Sequence, residues 1–222
     1  MSIDDDDSLD VESAYAIETP DDSRRLYARW ADSYDQDFIE KTGYVYHENV
    51  AGAFLDAGGS AGGAVLDVGC GTGVLGQALG DVGERLVDGI DISPEMIAVA
   101  RQKKTVFGDR VYRSVFEADL TQPLTISDDT YMGIVSAGTF THGHLPPDSI
   151  RELVRVAAPT AVCAIGINAE HYVEHGFDAL FAELANAGQI TSPMLIDVSI
   201  YEAMTGPHAG DRGTVAMFQV LG

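Results

Sequence analysis

The segment Val65-Leu66-Asp67-Val68-Gly69-Cys70-Gly71-Thr72-Gly73 constrains this chain more than any other. An apolar strand runs through an acid into three alternating glycines. Glycine has no Cβ, so the backbone turns sharply there and approaches a ligand closely. The next apolar run, Val87-Asp88-Gly89-Ile90-Asp91, ends on a second acid. A glycine turn after one strand and a carboxylate at the tip of the next describe a pocket for a nucleoside. The carboxylate suits the two hydroxyls of a ribose.

Beyond the glycine motif, strand-like and helix-like runs alternate. Strands are expected at 64–68, 86–90, 111–117, 132–137 and 160–167, and helices at about 74–79, 94–104, from 147 and at 177–187. Such alternation implies a parallel sheet with right-handed crossovers. Two late β runs, 194–201 and 214–220, have no helix between them and pair as a hairpin. The expectation is an α/β fold, an open doubly wound sheet of seven mostly parallel strands with an antiparallel strand near its edge.

Two helices precede this core. The first opens at Asp21-Asp22-Ser23, with Asp22 or Ser23 as cap and acids at its positive end. Its residues Leu26, Tyr27, Trp30, Tyr34 and Phe38 recur at helical spacing as one aromatic face. The second spans about 44–57 with Val45, Val50, Phe54 and Leu55 inward, and Gly58-Gly59-Ser60-Ala61-Gly62-Gly63 breaks it. Residues 1–20 read as a disordered acidic tail and 21–222 as a single domain, with helices over 21–60 and the sheet over 64–222.

Net charge narrows the partners. At −22, the chain is poorly suited to a phosphate backbone, because nucleic-acid affinity rests on Lys and Arg neutralising phosphates. A small-molecule substrate is expected, with no nucleic acid. No apolar run reaches the ~20 residues that cross a membrane, and the start Met1-Ser2-Ile3-Asp4-Asp5-Asp6-Asp7 is acidic where an export signal is basic. Cys70 and Cys163 lack a CxxC-type partner, so a reduced cytoplasm is expected, without zinc or disulfide.

The glycines admit two nucleosides. Gly71, Gly73 and Gly76 satisfy the dinucleotide spacing GxGxxG with Asp91 following, which leaves a nicotinamide oxidoreductase as the alternative. Against it, Asp67 inside the strand would repel a pyrophosphate and welcome an ammonium, and Asp119 after the third strand suits an adenine amine. After the tail the chain resembles class I S-adenosylmethionine-dependent methyltransferases. Leu66-Asp67-Val68-Gly69-Cys70-Gly71-Thr72-Gly73 is similar to that family's first motif, Gly89-Ile90-Asp91-Ile92-Ser93-Pro94-Glu95-Met96-Ile97 to its second, and Phe116-Glu117-Ala118-Asp119-Leu120 to its third.

That resemblance implies a Rossmann-like fold, S-adenosyl-L-methionine as cofactor, and roles for particular residues. Backbone around Gly69, Gly71 and Gly73, with Asp67 behind, would hold the methionine ammonium and carboxylate. Asp91 would take both ribose hydroxyls, and Ile92 and Met96 would sandwich the adenine. Asp119 would accept from the adenine amine, the Leu120 N–H would donate to a ring nitrogen, and Ser136 or Ala137 would offer a carbonyl. Tyr27, Trp30 and Tyr34 resemble a lid that closes over the cofactor in small-molecule members. A catalytically silent protein that binds the cofactor is the other alternative.

Methyl transfer from a sulfonium is an in-line displacement that depends on alignment and desolvation. A base is required only for an acceptor that still holds its proton. The loop after the fourth strand, Ser136 to Pro146, should face the methyl group, and His142 and His144 within it are the candidate catalytic bases. Their His-x-His spacing lacks a third ligand, so no metal is expected. The run Gly138-Thr139-Phe140-Thr141-His142-Gly143-His144 resembles the Williams–Beuren-type methyltransferase-like group. His171, Tyr172 and His175, and the segment carrying Tyr201, Glu202, Met204 and His208, are further candidates for the acceptor pocket.

Overall fold

Every residue of β1 (Val65–Val68) and β2 (Val87–Asp91) is buried, as expected of strands covered on both faces of a parallel sheet. The structure, a computed structural model, describes residues 13–14, 17, 19–59, 62–141, 145–206 and 208–222. Five further strands complete the sheet: β3 (Tyr112–Glu117), β4 (Tyr131–Phe140), β5 (Ala157–Asn168), β6 (Met194–Ser199) and β7 (Arg212–Gln219). Their spatial order is β3-β2-β1-β4-β5-β7-β6. All neighbours from β3 to β5 are parallel, whereas β7 is antiparallel to both β5 and β6. One antiparallel strand thus lies second from the edge, formed by the late hairpin.

The chain winds outward from β1 to β3 and then returns to β4 on the other side of β1. That reversal leaves a crevice beyond the C-terminal ends of β1 and β4, where open α/β sheets bind ligands. Register puts Asp67 beside Gly89 and Val135, and Val68 beside Ile90. The ends of the strands that carry the motifs therefore share one edge.

Helices cover both faces. On one, α2 (Tyr46–Asp56) packs Val50 and Phe54, both fully buried, together with Leu75 and Leu79 of α3 (Val74–Gly80). On the other, α5 (Ser149–Val156) and α7 (Phe177–Asn186) bury Ile150, Leu153, Phe177 and Phe181 against β4 and β5. A smaller cluster joins Ile97 of α4 (Pro94–Ala100) to Tyr112 and Val115 of β3. Ser93 caps α4 by accepting from the Met96 N–H, with Pro94 in the first turn.

Some local readings shift. Helix α1 (Pro20–Trp30) is capped by Thr19, not by Asp22 or Ser23. Thr19 Oγ1 accepts from the Asp22 N–H while Asp22 Oδ2 accepts from the Thr19 N–H, a capping box that sets Pro20 at the first helical position. Beyond it, Asp35–Glu40 winds as a π-helix, which an α-helical spacing does not anticipate. β4 continues past 137 to Phe140, which is buried, pairs with Ile167 and packs edge-on to Phe177. A short helix α6 (Ala169–Glu174), capped by Asn168, was not expected. Most of the tail expected over 1–20 lies outside the described residues.

Candidate functional site

The crevice at the sheet's C-terminal edge is a cleft of about 740 Å³ that opens in part to solvent. The sharp turn after β1 supplies its floor. Gly69 sits at φ +66°, and a Cβ there would lie 2.0 Å from Thr139 Oγ1. Gly71 sits at φ +51° with open space where a Cβ would project, so the backbone is bare toward the cleft. Both glycines line it.

Asp91 forms one wall and is held from two sides. Its Oδ2 accepts from the Gly71 N–H at 2.8 Å and its Oδ1 from the Ser93 N–H at 2.9 Å. A carboxylate has about four lone-pair sites, so Asp91 keeps accepting capacity for a ligand hydroxyl. Burial pushes its carboxyl above the usual range, and the backbone N–H groups of Ser93 and Gly71 oppose that. Ile92 and Met96 add an apolar slot, and Asp119 and Leu120 stand opposite at the end of β3. The arrangement holds an acid for a diol, an apolar slot for a flat ring, and polar groups for its rim.

Residues of α1 and of the turn after it line one side of the cleft. Tyr27 and Tyr34 line it, and so do Pro20 and Ser23, which the motif reading passed over. Ser23 and Tyr27 are four residues apart on one helix face, a signal present in the sequence beside the aromatic positions. Two polar contacts tie this arm to the core. Arg24 stands 3.7 Å from Asp119 Oδ2. At the other end Asp35 Oδ1 accepts from Thr72 Oγ1 at 2.6 Å, and its Oδ2 pairs with Lys103.

Four of the expected cofactor residues do not line the cleft. Trp30 lies deeper, 1 % exposed, with its indole N–H unpartnered. Gly73 is the N-cap of α3, packed under Tyr112. Ser136 is fully buried and donates to the Val68 carbonyl at 2.8 Å, bracing the end of β1, while its neighbour Ala137 lines the cleft. Asp67 is fully buried beneath the glycine turn: its Oδ2 accepts from the Tyr112 hydroxyl at 2.6 Å and the Gly76 N–H at 3.1 Å, and its Oδ1 has no partner. Desolvation pushes that carboxyl up to about 7. Asp119 lines the cleft but also shapes its own turn, its Oδ1 accepting from the Thr121 N–H and hydroxyl. His142 and His144 lie outside the described residues. Thr121 also lines the cleft, as do Thr139 and Leu145 of the 136–146 stretch expected to face the methyl group. Tyr112, the partner of Asp67, gave no signal because the contact spans 45 positions of chain.

A second chamber of about 510 Å³ adjoins the cleft, sharing Tyr27, Tyr34 and Gly138 with it. Tyr201 lines this chamber. His171 is buried beneath the same sheet edge, its Nε2 2.9 Å from the Leu145 carbonyl. His171, Tyr172 and His175 line neither space.

Known proteins resemble this chain over part of its length. Residues 65–160 match the family described as Methyltransferase domain. Over that stretch the chain is similar to methyltransferase domains. Human methyltransferase-like protein 27 is 30 % identical over 149 residues, covering 64 % of this chain and 57 % of that protein. The ribosomal protein L11 methyltransferase of Methylococcus capsulatus is 42 % identical over 60 residues, 26 % of this chain and 20 % of its own length. The chain thus spans little more than half, or less, of these relatives. Among solved structures, magnesium protoporphyrin IX methyltransferase from Synechocystis PCC 6803, with bound S-adenosylmethionine, superposes with a TM-score of 0.63 at 21 % identity over 93 % of this chain and 99 % of that one. At that identity the likeness carries the fold, a Rossmann-like sheet. No described helix is long and apolar enough to cross a membrane.

Proposed function

We propose that this protein binds S-adenosylmethionine in the cleft and transfers its methyl group to a small-molecule acceptor. The observation that carries this reading is Asp91, oriented by the Gly71 and Ser93 N–H groups beside the slot of Ile92 and Met96. Asp91 would accept from both ribose hydroxyls through charge-assisted bonds. Ile92 and Met96 would hold the adenine, with Asp119 and the Leu120 N–H at its polar edge. The bare backbone at Gly69 and Gly71 would take the methionine end.

When bound, S-adenosylmethionine supplies a methyl carbon on a positively charged sulfur, so the acceptor need only present a lone pair and release its proton. No metal is required for that. What remains to the protein is alignment and exclusion of water. Tyr27 and Tyr34 close over the cleft as a lid, tethered through Arg24 and Asp35. His142 and His144 are the proposed bases for an acceptor that is protonated at neutral pH. The acidic surface favours a small molecule over nucleic acid, and the free thiols of Cys70 and Cys163 fit a reduced, cytoplasmic setting.

Calorimetric titration with S-adenosylhomocysteine, with NADH as the control, tests the cofactor. Micromolar binding of the first alone is the expected result. Binding of NADH alone would assign the glycines to a dehydrogenase.

A further inference from the structure

The chamber beside the cleft is walled by rings. Trp30 and Phe38 meet edge to face with centroids 5.3 Å apart, Tyr34 stacks on Phe38 at 4.9 Å, and Tyr44 leans against Tyr201 at 5.8 Å. No charged side chain lines it among the described residues. An ion among these described residues would lose its hydration and find no counter-charge in them. The ring faces would attract a cation, but a protonated amine has no lone pair to offer a methyl group.

One amide donor stands on this wall. Asn168, at the end of β5, is 4 % exposed and lines the chamber. Its Oδ1 accepts from the Glu170 and His171 N–H groups at 3.0 and 3.2 Å, capping α6. Because those two are donors, the oxygen must face the helix and the Nδ2 group must face away from it. That nitrogen has no hydrogen-bond partner among the described residues. The group lines the chamber, where a ligand acceptor could replace the water that reaches it.

Resting on the cofactor reading above, we infer that this chamber is the acceptor site, and that it takes an uncharged, flat, aromatic molecule whose oxygen or ring nitrogen accepts from Asn168. The shared walls, Tyr27, Tyr34 and Gly138, place it directly against the cleft. Aromatic substrates meet the surrounding rings edge to face or offset. Asn168 is a binding residue that fixes which way the molecule points.

The chain's single tryptophan is Trp30, so its fluorescence reports occupancy of this chamber. The test saturates the full chain with S-adenosylhomocysteine and titrates benzamide, benzoate and benzylammonium, which are neutral, anionic and cationic versions of one shape. Benzamide should change Trp30 emission saturably, with at least about tenfold preference over either ion. The Asn168→Asp variant keeps the capping oxygen and loses the donor. It should bind S-adenosylhomocysteine as the parent does and benzamide about tenfold or more weakly. Equal binding of benzoate or benzylammonium, or undiminished benzamide binding by Asn168→Asp, would overturn the inference. S-adenosylhomocysteine affinity is read separately by calorimetry, and its loss would strike the cofactor reading instead.

Discussion

Asp67 and Asp91 occupy neighbouring strands, and burial treats them differently. Asp91 lies at the strand tip with both oxygens engaged by backbone N–H groups and its outer face on the cleft. Replacing it with alanine removes the ribose acceptor and also releases Gly71 and Ser93. We expect Asp91→Ala to weaken S-adenosylhomocysteine binding by about 1–3 kcal/mol, measured by calorimetry; an unchanged affinity would contradict the assignment. Asp67 is enclosed, with one oxygen unpartnered and its carboxyl raised to about 7. Between its unfolded value of 3.8 and 7 the folded chain keeps a proton that the unfolded chain releases. Its contribution to stability is therefore present at low pH and lost as pH rises through about 7. Asp67→Asn fixes the neutral state, so urea midpoints at pH 5 and 7.5 should differ less in the variant than in the parent. Parallel pH dependences would show that Asp67 stays ionised in the fold. Both acids are legible in the motif, but their environments are not.

At the scale of elements, the arm formed by α1 and the π-helical segment is joined to the core by few polar contacts. Asp35 joins it to Thr72 of the glycine turn and to Lys103 beyond α4. π-helical turns recur at functional sites, and this one holds Asp35 against the turn. Asp35→Asn keeps an acceptor for Thr72 but removes the ion pair. Since Asp35 is partly exposed, the loss is modest: about twofold to fivefold in S-adenosylhomocysteine affinity, with the thermal midpoint nearly unchanged. A loss of stability without a change in affinity would make the contact a packing device alone. The aromatic spacing of 27, 30 and 34 announced the arm's buried face. It did not show that Trp30 turns from the cleft into the chamber, because that depends on where Phe38 and Tyr201 stand.

Across the whole molecule, the prominent feature is its excess of acid. A net charge of −22 on 222 residues makes the folded state repel itself, and salt screens that repulsion. The thermal midpoint should rise by several degrees between 0.05 and 1 M KCl, about 2–4 °C for each kcal/mol of relief. A midpoint independent of salt would mean that local pairs such as Arg155 with Glu152 and Arg113 with Asp88 already balance the excess.

The sequence by itself determined the alternation of strands and helices, the late antiparallel hairpin, the glycine turn and the acid that follows it. These are local: apolar periodicity, glycine spacing and capping act within a few residues. The family resemblance grouped Tyr27, Tyr34, Asp91, Ile92, Met96 and Asp119, and they line one cleft. Tertiary structure alone decided that Asp67 is braced by Tyr112, that Ser136 supports a strand end, and that Asn168 caps a helix while its amide donor is left over. Each of those pairs residues distant in the chain, or divides one side chain between two surroundings. Packing settles such assignments, because only in the folded sheet does burial make a missing partner costly.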